Sequence, residues 1–147
     1  MGSQIFPDTA VRARLPDWEM RLFTWLNHVR SEQFKYGTFD CAIGLAAGAV
    51  KAQTDVDLGL PHLGKYKSKT GAKKYMVSQG WRSLPIMGDS FLRRISANTY
   101  HRGNIVLLES DLGPAFGIRT GSRAIAFSVS GLKEFPIPAN SIEWSPL

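Results

Sequence analysis

Apolar positions change period along this chain, and each change marks an element. From Trp18 the spacing is helical. Trp18, Leu22, Trp25, Leu26 and Val29 fall at i, i+4, i+7, i+8 and i+11, one face of a 3.6-residue repeat. Pro16 and Asp17 precede this face, and Asp17 is the expected N-cap. Trp18 and Trp25 are expected as core anchors. Ahead of them, residues 1–16 hold Pro7 and Pro16 and show little periodicity, so they read as an extended N-terminal arm. Residues 17–147 read as a single domain.

Gln33 to Phe39 is a connector with a Tyr-Gly turn, and a run of small and apolar residues from Ala42 to Val50 follows. A helix is expected from Asp40 or Cys41 to near Gln53. Gly44 and Gly48 fall inside it, and each costs a helix about 1 kcal/mol relative to alanine. A sequence accepts that cost where neighbouring elements approach closely, so this helix is expected to be central and crossed on several sides. Asp55 to Leu63 reads as loop. Thr70 to Gln79 reads as a surface helix stopped by Gly80. Met87 to Ser96 reads as a short third helix carrying Arg93 and Arg94.

The C-terminal third changes character. Asn104 to Glu109 is a buried-strand run, Ala115 to Thr120 a second strand, and Arg123 to Val129 a third. Gly121 and Ser122 form a two-residue hairpin loop between the last two. Leu132 to Ile137 and Ile142 to Trp144 are weaker strand candidates. Helices first and an antiparallel meander afterwards predict an α+β fold, with the helices on one face of the sheet.

Composition narrows the function classes. At 147 residues and 44% apolar content the chain supports one hydrophobic core and is not predominantly disordered. The longest apolar or small-residue run, nine residues, is too short to cross a bilayer. One cysteine excludes an internal disulfide framework. No H-E-x-x-H or other ligand spacing points to a metal, and no cofactor motif is visible. No charged and apolar secretory leader is visible, so synthesis and folding in a cytoplasm are expected. Eighteen Lys and Arg against twelve Asp and Glu leave a net charge of +6, which favours anionic partners. Lys65, Lys67, Lys69, Lys73 and Lys74 form an acid-free stretch, with Tyr66 and Tyr75 interleaved. A solvated basic face is the main reading of that stretch. Nucleic-acid binding through it and through Arg93 and Arg94 is the alternative, with Lys65 and Lys67 as contacts and Tyr66 as a stacking ring.

Cys41 carries the candidate chemistry. A helix N-terminus favours the thiolate through its partial positive charge and free N–H groups. Asp40 opposes this unless its carboxylate is occupied as the cap. A cysteine hydrolase also needs a base and a group to orient it. The three histidines are His28, late in the first helix, His62, in a Pro-containing loop, and His101, just before the first strand. Each reads more simply as a surface or core residue than as a base.

The order of parts resembles the papain-like NlpC/P60 superfamily. Tyr36-Gly37-Thr38-Phe39-Asp40-Cys41-Ala42 opens a small-residue helix, Arg102-Gly103-Asn104 opens an apolar strand, and Phe116-Gly117-Ile118 follows. Over about residues 18 to 137 the chain is also similar to a small group of phage and prophage proteins that share Y-G-T-x-D-C-A and are encoded near tail genes. The resemblance implies an NlpC/P60-type domain and a cysteine peptidase acting on peptidoglycan stem peptides. It assigns Cys41 to the nucleophile, with Tyr36 and Asp40 as neighbouring binding positions, and Asn104 to the Asp of the Arg-Gly-Asp strand. The family's base lies two residues before the strand glycine, and that residue here is Ala115. Alanine accepts no proton. Hairpin pairing places Leu108, Glu109, Ser110 and Asp111 near Ala115, whereas His101 lies about 20 Å away along the strand.

The expected function is therefore structural: a tail-tip or baseplate component of a phage virion, assembled in the host cytoplasm, with a peptidase fold lacking its histidine. Its expected partners are hub, distal-tail and tail-tip proteins, and its contact with membranes is not by insertion. An active peptidoglycan endopeptidase of the tail is the second reading, and a nucleic-acid-binding protein the third.

Overall fold

The computed structural model of the chain describes residues 13–96 and 101–147. Among these, four α-helices precede one six-stranded antiparallel sheet, so the fold is α+β. The helices are α1 (Trp18–Val29), α2 (Ala47–Thr54), α3 (Lys69–Ser78) and α4 (Leu84–Phe91). The strands are β1 (Arg93–Arg94), β2 (Ile105–Ser110), β3 (Gly113–Arg119), β4 (Arg123–Ser128), β5 (Gly131–Pro136) and β6 (Glu143–Ser145), in the order β1-β6-β2-β3-β4-β5.

Alternation along the strands divides the apolar residues between two faces. Ile105, Phe116, Ile118, Ile125 and Phe127 join Leu22, Leu26, Leu45 and Val50 from the helices in the main core. Val106, Leu108, Ala124 and Ala126 form a smaller cluster, covered by Phe135 and Ile137. The fully buried Trp144 of β6 packs edge to face on Phe116 and donates its indole N–H to Asp89 of α4 at 2.9 Å.

The close approach expected of the glycines is present. A methyl on Gly48 would lie 2.2 Å from the Trp25 ring, and one on Gly44 would lie 2.5 Å from the Phe39 backbone. The helix itself differs from expectation. Its first turn, Cys41–Ala46, is π-helical, and α geometry begins only at Ala47. Trp18 and Trp25 pack against the core as expected, half-buried. Two further corrections concern the ends of elements. Asp17 makes no side-chain cap bond. Arg93 and Arg94 are not helical, because α4 ends at Phe91 and the two arginines pair with Ser145 and Trp144 of β6. Residues 1–12 of the expected arm lie outside the described residues. Residues 13–16 run along α2, where Leu15 N–H donates to the Gln53 carbonyl at 2.8 Å.

Candidate functional site

Asp40 is the organising residue around Cys41. It is 4% exposed, and its two oxygens accept four hydrogen bonds. One oxygen takes the N–H groups of Ala42 at 3.0 Å and Ile43 at 2.8 Å. The other takes the Gly37 N–H at 3.0 Å and the Tyr66 hydroxyl at 2.5 Å. The Tyr36-Gly37 turn exists to make this possible. Gly37 has φ +81, and a methyl there would lie 1.9 Å from the Tyr66 carbonyl oxygen, so only glycine fits. Burial, and then the charge and hydrogen bond of Asp40, push the Tyr66 hydroxyl pKa upward.

These bonds set the state of Cys41. The helix N-terminal donors that would favour a thiolate are already occupied by the Asp40 carboxylate, whose charge also opposes the helix dipole. Cys41 is half-buried and packs against the core. The protein mass around its thiol raises the pKa to about 12, and the charge of Asp40 adds to the shift. Hydrogen bonds from the Phe116 backbone and from its own N–H pull the other way and do not prevail.

The bond to Phe116 locates Cys41 on the sheet. Ala115, the neighbour of Phe116, pairs with Leu108 and is 4% exposed. Ala115, Cys41, Asp40 and Tyr36 all line one cleft of about 850 Å³. Ser110 and Leu112, from the end of β2 and its turn, also reach it. No histidine lines this cleft. His28 is exposed near the end of α1, and His101 is exposed before β2. His62 bonds the Tyr75 hydroxyl through Nδ1 at 2.6 Å and packs edge-on against Trp81 and Phe91. This aromatic cluster borders a separate apolar cavity of about 60 Å³. Burial, and then the charge of Lys65, lower the pKa of His62, so the ring favours its neutral form.

Asn104 is elsewhere. It is 1% exposed, donates to Glu143 at 2.8 Å and accepts from Arg14 at 3.3 Å. Its backbone carbonyl accepts from Arg119, four residues along β3 from Ala115. Lys65 and Lys67 are exposed and lie outside the cleft, whereas Lys69 and Lys73 of α3 form part of its wall. Tyr66 is 9% exposed and bound to Asp40, so its ring is not free to stack on a base. Arg94 is paired with Asp89 at 2.7 Å. Among the described residues, no three His, Cys, Asp or Glu come together as a metal site, and no helix is long and apolar enough to cross a membrane.

Sequence reasoning missed Tyr66, the Phe116 backbone, Lys69 and Lys73 as parts of the site. Tyr66 is 26 residues from Asp40, and nothing in the local pattern ties the two. Lys69 and Lys73 stand four residues apart, but a helix expected to begin at Thr70 leaves Lys69 outside it, so their shared face did not show in the sequence.

The family described as a domain of unknown function (DUF6950) matches residues 13–145. The chain belongs to this family. The match takes in the turn that holds Asp40, Cys41 and every strand of the DUF6950 sheet. No curated protein matches the chain.

Proposed function

We propose that this chain uses an NlpC/P60-like, papain-like scaffold without its peptidase chemistry, as a structural component of a phage tail tip or baseplate. The observation that carries the loss of chemistry is that Cys41 and Ala115 line one cleft and no histidine does. The resemblance puts its base at position 115, and alanine accepts no proton. Removal of a general base typically lowers a rate by about 10²- to 10⁴-fold. The thiol pKa of about 12 compounds this loss, because the reactive thiolate is scarce at neutral pH. The tail assignment rests on the resemblance carried by Y-G-T-x-D-C-A. It names hub, distal-tail and tail-tip proteins as partners and the virion, assembled in the host cytoplasm, as the location.

An active peptidoglycan endopeptidase is the second reading, favoured by the open cleft at Cys41. Thiol alkylation measured across pH separates the two. Labelling of Cys41 is expected to be slow near neutrality and to accelerate only toward the thiol pKa of about 12. A plateau below the free value of about 8.5 would restore the nucleophile. Release of wall fragments by the wild type but not by Cys41→Ala would do the same. For the tail assignment, the protein is expected to co-purify with assembled tails, and particles complete without it would reject that role.

A further inference from the structure

We infer that the Cys41 cleft is a docking groove for an extended segment of a partner protein that presents a carboxylate between apolar side chains. The inference rests on the non-hydrolytic reading above and gives that site its ligand class. Its first support is the shape of the sheet. The ladder between β3 and β4 stops at the Ile118–Ile125 pair, although β3 begins at Gly113 and β4 continues to Ser128. The cleft lies where the two strands have parted, with Pro114 and Ala115 on one side and Phe127 and Ser128 on the other.

The second support is chemical. The walls are apolar, formed by Phe34, Met76, Leu84 and Met87, and the lips carry Leu112 and Val129, which are 47% and 73% exposed. Such surface gains from covering apolar side chains. The charge on the wall is positive: Lys69 and Lys73 stand one helical turn apart, with Cβ atoms about 6 Å from each other. Among the described residues Asp40 is the only acid lining the cleft, and its oxygens are held by four internal donors. An incoming carboxylate therefore meets two cations, and the one carboxylate there is already occupied.

Strand addition to β3 is not what the groove provides. Alternation directs positions 114 and 116 of β3 toward the gap. Pro114 has no N–H to give, and the Phe116 backbone is bonded to the Cys41 thiol. Recognition therefore comes from side chains, and its specificity is set by the two lysines and the apolar lips.

The test is selection of capped, randomised decapeptides on the immobilised full-length protein at low salt. Enriched peptides are expected to share an Asp or Glu flanked by apolar residues. Their affinity is expected to drop about tenfold or more in the Lys69→Glu/Lys73→Glu variant, and to fall with added salt. Both lysines are exposed on α3, and an unchanged melting curve establishes that the variant is folded. No enrichment, enrichment without an acid, or affinity indifferent to the charge reversal would each overturn the inference. So would purified muropeptides that compete for the groove more strongly than the selected peptides. Peptides recovered cleaved or covalently joined to Cys41 would instead overturn the non-hydrolytic reading. The docking assignment would then stand or fall on the charge reversal alone.

Discussion

Asp40 and Cys41 are adjacent in the chain, and the role of the first fixes the chemistry of the second. A carboxylate that accepts two backbone N–H groups of a helix start, a turn N–H and a tyrosine hydroxyl is a structural keystone. Burial keeps the thiol neutral, and the charge of the same carboxylate adds to that effect. This leaves a thermodynamic signature. The folded thiol holds its proton to about pH 12, while the ordinary thiol value is 9.0. Between these values the unfolded chain binds fewer protons, so stability falls as pH rises. The contribution is complete below the unfolded pKa and is lost as pH climbs through the folded one, with a slope of at most about 1.4 kcal/mol per pH unit. Cys41→Ala is expected to reduce the alkaline limb of urea-unfolding free energies, leaving the part contributed by Tyr66, whose pKa is also raised. An unchanged alkaline limb in Cys41→Ala would mean that the thiol ionises as easily folded as unfolded. At this scale the sequence was informative about Cys41 and Ala115, because motif order places both. It was silent about Tyr66, whose bond to Asp40 spans 26 residues.

Among the elements, the Cys41 helix was legible in its composition and only partly in its geometry. Glycines within an alanine-rich run announce close packing, and Gly44 against Phe39 with Gly48 against Trp25 is what they make. The π-helical first turn left no comparable trace. In it the Leu45 N–H reaches back five residues to the Asp40 carbonyl at 2.9 Å. The mistaken helix over Arg93 and Arg94 has a different cause. Two arginines have no period, and a two-residue edge strand is specified by its partner β6, about fifty residues onward. Gly44→Ala tests the packing argument directly. Helix propensity alone predicts a gain of about 1 kcal/mol. The added methyl would stand 2.5 Å from Phe39 backbone, which cannot rotate away, so a net loss of about 2 kcal/mol in chemical unfolding is expected. A neutral or stabilising result would show that the turn before Cys41 has room to move.

For the whole molecule, the end of the sheet opposite the cleft is held by charge rather than by apolar packing. Arg119 of β3 and Glu143 of β6 are 6% and 3% exposed and meet in a two-pronged pair at 2.8 and 2.9 Å. Asn104 donates to the same carboxylate at 2.8 Å, and Arg119 reaches the Gly121 carbonyl at 2.6 Å. Arg14 then links Asn104 to Gln53 of α2, whose amide holds the Gly103 carbonyl at 2.9 Å. One network thus ties the entry to β2, strands β3 and β6, and the central helix. No single-sequence pattern reveals it, because its side-chain to side-chain bonds join residues 24 to 90 apart. Glu143→Gln leaves Arg119 buried without its counter-charge, and a loss of about 3–5 kcal/mol is expected. Replacing both partners, Arg119→Met with Glu143→Leu, removes the stranded charge but also takes partners from the Asn104 amide and the Gly121 carbonyl. Each orphaned group costs about 1–3 kcal/mol, so the double variant is expected to recover only part of the loss. Urea unfolding of the wild type, of Glu143→Gln, and of the cycle formed by Arg119→Met, Glu143→Leu and their combination decides it. A Glu143→Gln cost near zero would mean that water reaches this end of the sheet. A double variant as stable as the wild type would reduce the network to a replaceable pair. The partial recovery expected here would assign the remainder to Asn104, which the resemblance to a peptidase placed in the chemistry and which the fold uses to bind its layers together.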